Sequence, residues 1–210
     1  LLDIQRSSLR RVITKVVYDL NPYREEVAKR ITPREKFSSD VQKFAREVQQ
    51  ERAKAAFYHI GLQRAREALE EQLPARERES SMRWKANYDL LRAQVAAYGA
   101  RARMYLDALN QAADKVRTTP RTLPGDKRLV GWKMRHHRDV QKSDPAREMI
   151  DRSKGLFLAV IENHPGTPWA ARAEWELERD FGYPGDSAAP TGVVLADAGY
   201  HAIDDLVGGD

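Results

Sequence analysis

The strongest constraint on this fold is a spacing. From Phe37 onward, Val41, Phe44, Val48, Glu51, Ala55, Tyr58, Leu62, Ala65 and Leu69 recur at alternating intervals of four and three, and Glu51 alone among them is polar. That rhythm lines one side of a helix and makes a coiled-coil-like seam. It resumes as Trp84, Tyr88, Leu91, Val95, Tyr98, Ala102, Tyr105, Leu109, Ala112 and Val116, with no charge in it. Between Pro33 and Pro120 only Gly61, Pro74 and Gly99 interrupt a stretch rich in Ala, Arg, Glu, Gln and Leu, all strong helix formers. Thr32 as N-cap, Pro33 at the first helical position and Glu35 as the return arm of a capping box predict where the first long helix starts.

The two seams are out of step by one residue, because two heptads beyond Leu69 fall on Arg83 rather than Trp84. The mismatch favours an antiparallel hairpin with its tip near Pro74 to Ser81. A proline-kinked continuous helix is the alternative, since the tip lacks the Gly or Asn that commonly closes a helix. A neighbouring stripe, Ala86, Leu90, Ala93, Ala97, Ala100, Met104 and Ala108, widens the apolar face of the second helix, as packing against more than one helix requires. A bare hairpin of this length buries too little to offset ordering its backbone. A further layer is expected from Leu9, Val12, Ile13, Val16, Val17 and Leu20, which form one apolar face before Asn21 and Pro22 end it.

The net charge of +5 conceals two opposed segments. Lys115 to Lys142 carries nine basic residues against Asp126 and Asp139, whereas no Lys or Arg follows Arg179 and six aspartates do. Pro120, Pro124 and Gly125 make the basic stretch a connector, too long for a simple turn. Asp144 and Pro145 start another helix with Ala146, Met149, Ile150, Ser153, Phe157, Val160 and Ile161 on one side. Thr167 and Pro168 start the next, with Ala170, Ala173, Leu177 and Phe181 facing one way. The expected fold is all-α: a long antiparallel, coiled-coil-like helical hairpin packed in a bundle, with a shorter C-terminal αα-hairpin and a flexible acidic tail. The corresponding segments are 1–117, the basic connector 118–143, the short hairpin 144–182, and the linker and tail 183–210.

Two runs carry a resemblance. Arg83-Trp84-Lys85-Ala86-Asn87-Tyr88-Asp89-Leu90-Leu91 and His164-Pro165-Gly166-Thr167-Pro168-Trp169-Ala170, the latter followed by Ala173, Glu174 and Leu177, resemble a paired signature. It belongs to the helical region that follows the von Willebrand factor A domain in large planctomycete-type bacterial proteins. The likeness covers roughly 21–183, and the second run is also similar to turns of tetratricopeptide-like repeats. The A domain of that group would carry an Asp-x-Ser-x-Ser metal-dependent adhesion site, and this chain has no such motif. The resemblance therefore implies a helical interaction or scaffold region and no metal function.

Chemistry-bearing patterns are absent from the sequence. There is no cysteine, which removes disulfides, thiol catalysis and thiolate metal sites but does not separate cytoplasm from cell envelope. No Walker A loop, GxGxxG, GxSxG or HExxH occurs. His136 and His137 are adjacent and so point apart on a helix, His59 and His201 stand alone, and His164 reads as part of a turn. Glu67, Glu70 and Glu71 read as the wet face of a helix. Tyr58, Trp84, Tyr88, Tyr98 and Tyr105 read as core rather than ligand pocket. No catalytic residue, cofactor or metal is expected. The longest apolar run, Gly155 to Ile161, is far short of the roughly 20 residues that span a bilayer. The chain opens at Leu1 without a signal-peptide pattern, as expected of a processed product or part of a longer chain.

The expectation is a non-enzymatic helical scaffold or interaction module whose partner is a protein or a second copy of itself. The candidate contact residues are Trp132, Arg135 and Arg138 in the connector, Trp175 on the last helix, and Leu195, Ile203 and Leu206 in the tail. Trp169 and Trp175, six apart, do not share a face, so at least one should be exposed or lie against a partner. One rival is electrostatic binding of nucleic acid or an anionic surface through 115–142. It is disfavoured because that segment has one aromatic and no recognised presentation motif; a loop in contact with the acidic tail is the plainer reading. Another is recruitment to a larger assembly by 193–210 as a docking peptide.

Overall fold

A computed structural model describes residues 7–21, 23–118, 131–133, 135–136, 146–178 and 193–194. The chain is predominantly helical: α1 (Ser8–Asp19), α2 (Glu25–Ile31), α3 (Val41–Glu70), α4 (Leu73–Arg78), α5 (Met82–Thr118), α6 (Ala146–Asn163) and α7 (Pro168–Glu178). Among the described residues, short strands accompany them: β1 (Lys36–Ser38), β2 (Gly131–Lys133), β3 (Arg135–His136) and β4 (Val193–Val194). β1 pairs antiparallel with β2 and β3 with β4.

The first long helix begins later than its sequence signals suggest. Asp40 is the N-cap, its carboxylate accepting from the Lys43 N–H at 2.8 Å, whereas Thr32 follows α2 as its C-cap. The intervening chain is not helical because its backbone bonds elsewhere. The Arg34 N–H donates to Tyr105 Oη and Glu51 Oε2 at 3.0 and 3.2 Å, the Ser38 N–H donates to Glu47 Oε2 at 2.8 Å, and Phe37 lies opposite Trp132 across β1 and β2. Phe37 still reaches the core that its heptad position implied, but from a strand.

α3 and α5 lie antiparallel. Phe44 and Val48, near the start of α3, share a core cluster with Tyr105, Leu109 and Ala112 of α5, while Leu62 and Leu69 cluster with Tyr88, Leu91 and Val95. The reversal runs through α4, where Pro74 sits in the first turn. A proline there loses no helical hydrogen bond, so it begins a helix instead of kinking one. Tyr88 locks this end: its buried hydroxyl donates to the Leu69 carbonyl at 2.6 Å, covering one of the acceptors that a helix end leaves without an intrahelical donor.

α5, at about 1.5 Å per residue some 55 Å long, is the central helix. Its alanine stripe, Ala93, Ala97 and Ala100 with Met104, packs against Ile150, Phe157 and Val160 of α6 and Ala173 of α7. Small side chains on α5 let those helices approach while its heptad side holds α3. α1 adds the expected layer through Leu9, Ile13 and Val16; Val17 is instead half-exposed. Its N-terminus is tied to the hairpin tip by Arg10, whose fork meets Glu79 at 2.9 and 2.7 Å. Gly166, at φ +70°, makes the left-handed turn between α6 and α7, and Thr167 caps α7 as predicted, its hydroxyl accepting from the Ala170 N–H at 3.3 Å.

Candidate functional site

Two flanks of α5 carry charged groups, and they are built differently. On one, Glu176 of α7 is only 3% exposed. Its carboxylate accepts from Arg172 at 2.8 Å, Gln94 at 3.3 Å and Tyr98 at 3.4 Å, and lies 3.7 Å from Arg101. Burial together with this carboxylate pushes the Tyr98 phenol above its ordinary range. Three donors thus meet its Oε1 while the Arg101 guanidinium faces Oε2, the polar company that a buried carboxyl group needs.

On the other flank α3, α5 and α6 diverge into a cleft of about 330 Å³. α3 presents His59, Gln63 and Arg66, consecutive turns of one side of that helix; α5 contributes Gly99 and Arg103; α6 contributes Glu148 and Arg152. Leu62, Val95 and Met149 give it an apolar lining. Arg103 is held from outside by Asp107 at 2.9 Å, and Arg152 pairs with Glu70. His59 Nδ1 and Arg66 Nε are buried and have no hydrogen-bond partner among the described residues. Burial first, then the guanidiniums of Arg103 and Arg66, lower the His59 pKa, with the Gly99 carbonyl and Asp107 opposing. The imidazole is thus held neutral in a positive field.

A third polar cluster closes one end of the bundle. Asp89 of α5 accepts from Arg76 of α4 at 3.0 and 2.5 Å and meets His164 Nε2 at 2.8 Å. His164 is buried. This arrangement joins the tip of the long hairpin to the α6–α7 turn, and the same corner is fastened by Trp169 Nε1 donating to Asn87 at 3.1 Å. Each nitrogen and oxygen named is used in holding three elements together. Among the described residues, no group of three or more His, Asp or Glu could hold a metal, and no helix is long and apolar enough to cross a membrane.

The residues proposed from sequence as contacts scatter. Trp132 is not a contact surface: its side chain is buried with Phe37, Phe44 and Leu109, its ring edge-on to Phe44 at 6.1 Å. The one aromatic of the basic segment therefore packs in the core. Arg135 lies on β3, opposite Val194 of β4, so the basic connector meets the beginning of the acidic tail through backbone pairing. Trp175 is 38% exposed with the Arg172 guanidinium 3.9 Å from its ring centroid, while Trp169 is partly buried, the division that their spacing required. Arg138, Leu195, Ile203 and Leu206 lie outside the described residues, as does Phe181.

Sequence reasoning passed over the cleft. His59, Gln63 and Arg66 at i, i+4 and i+7 do share a side of α3, but the signal becomes legible only once α6 is known to lie beside that side. The fold and its polar clusters define a helical bundle with a basic cleft between α3, α5 and α6. Compared with protein-family models, curated proteins and solved structures, the chain finds no match.

Proposed function

We propose that this chain is a non-enzymatic helical scaffold, a protein–protein interaction module that works within a larger protein or assembly. The observation that carries the reading is a set of exposed aromatic and aliphatic side chains on α1, on the link from α1 to α2 and in the middle of α3. Tyr23 is 96% exposed and Phe57 63%, with Val17, Tyr18 and Ile60 also exposed. Arg24 stands over Tyr18 at 3.9 Å and Arg30 over Phe57 at 5.5 Å. Aromatic residues framed by arginine are the composition enriched at interfaces, and large apolar side chains gathered outside the core mark a contact surface. The likeness to the helical regions that follow von Willebrand factor A domains supports the same reading, because such a region contributes contacts rather than chemistry.

Light scattering with size-exclusion chromatography over a concentration series tests it. The chain should self-associate or retain a protein partner, and the double variant Tyr23→Glu/Phe57→Glu should lose that association with its helicity unchanged. A strictly monodisperse monomer that retains no partner, or association that survives the double variant, overturns the reading.

A further inference from the structure

We propose that the cleft between α3, α5 and α6 binds a small oxyanion, a phosphate monoester or carboxylate borne on a compact apolar body. Its volume of about 330 Å³ falls at the small end of ligand pockets, roughly 300 to 1,000 Å³. Leu62, Val95 and Met149 offer an apolar body its contact, and Arg66, Arg103 and Arg152 converge from three helices on the same space. Arginine suits this task because its planar fork matches carboxylate and phosphate oxygens.

Arg103 uses its Nε for Asp107 and Arg152 one terminal nitrogen for Glu70, so both forks are oriented from outside the cleft and keep N–H groups beyond those bonds. Arg66 differs. No carboxylate pairs with it among the described residues, and its Nε–H is buried without an acceptor there. Buried donors left without acceptors are rare in folded proteins, and each calls for a physical reason. An oxyanion in the cleft supplies one. Glu148 on the α6 wall opposes it, but this side chain is exposed and screened by solvent. The positive field that lowers the His59 pKa also gives a readout, because an anion beside the ring must raise it again.

The experiment is an NMR titration of the full chain with phenyl phosphate, benzoate and inorganic phosphate, following the His59 ring and Arg66 Nε–H signals. Phenyl phosphate or benzoate should perturb both and move the His59 titration to higher pH, the stronger of the two identifying the oxyanion; inorganic phosphate, lacking the apolar body, should bind more weakly than the better of them. Arg66→Gln should weaken binding roughly tenfold, the loss of one charge-assisted contact, with thermal unfolding no lower than wild type. Glu148→Gln should tighten it. The control Arg46→Gln, an exposed arginine outside the cleft, should change nothing. The proposal fails if neither aromatic probe perturbs His59 and Arg66, if Arg66→Gln binds as wild type does, or if Arg46→Gln weakens binding equally.

Discussion

The two flanks of α5 hold charge against the same helix under opposite conditions. Glu176 is sealed, with three donors on its Oε1 and the Arg101 guanidinium 3.7 Å from its Oε2; the His59 cleft is open and leaves two buried nitrogens unmet. The first arrangement fixes how α7 sits on α5, because sliding by one turn would strand a buried carboxylate. In the second, the Arg152–Glu70 pair ties α6 to α3, while His59 Nδ1 and Arg66 Nε join no helix to another. A buried polar group with a full set of partners thus specifies packing, while one without them is kept against stability.

The comparison breaks most visibly at Glu176. Glu176→Ala should destabilise by about 2 to 4 kcal/mol, since removing one side of a buried charged cluster leaves its partners poorly solvated. Denaturant unfolding would measure it, and a loss under 1 kcal/mol would mean that Arg172 and Arg101 simply turn to solvent.

Next in size is a sealed node on the α3 side. Glu51, the one polar residue in the first seam, accepts from Tyr105 Oη at 2.9 Å and from Lys54 Nζ at 2.8 Å, and burial beside this carboxylate holds the Tyr105 phenol well above its ordinary range. Tyr105→Phe removes a donor to Glu51 and one of the two acceptors of the Arg34 N–H, and should cost about 1 to 3 kcal/mol. Glu51→Leu with Tyr105→Phe together should cost less than the sum of the two single changes, because both partners leave at once.

What the sequence made legible follows the same division. Periodicity exposed the two long helices, the alanine stripe and the short C-terminal hairpin, because apolar burial repeats with the helical turn. Glu51 broke that pattern, and its reason lay some fifty residues away at Tyr105 and in the non-helical backbone at Arg34. The strands were illegible for a related cause: β1 has three residues, and its partner Trp132 sits in a segment whose composition announced only charge. Trp132 read as an exposed contact because nothing local says that a connector returns to cover Phe37 and Phe44. The cleft needed lateral information as well, since only the position of α6 gathers Arg66, Arg103 and Arg152.

A smaller effect is expected at the hairpin tip, where the Arg10 fork and the Ser81 N–H hold the Glu79 carboxyl down at about 2. A carboxyl lowered in the folded state contributes its stability in full above the unfolded value near 4.5 and loses it as pH falls toward 2. Acid unfolding should steepen across that window, and Arg10→Ala should flatten it, at a cost at neutral pH of about 1 to 2 kcal/mol for a bidentate pair whose side chains are mostly buried. A wild-type curve equally flat between pH 4.5 and 2 would show that the fork is not held in solution.

The smallest effect has the sign that separates the two flanks. Arg66→Gln removes a charge that has no carboxylate partner among the described residues and that works against His59, so stability at pH 7 should be unchanged or higher by up to about 0.5 kcal/mol. The pH dependence sharpens the point. In the native chain the His59 pKa is lowered, so below about 6.5 the unfolded chain takes up a proton that the folded one resists, and stability declines as pH falls from there to the depressed value. Removing Arg66 relieves part of that resistance and should shallow the decline, whereas Glu176→Ala, on the far flank, should leave its slope as it is. Chemical denaturation at pH 7.5 and 5.5 measures both. If Arg66→Gln destabilises at neutral pH by 1 kcal/mol or more, its guanidinium is satisfied in solution, and the two flanks are alike.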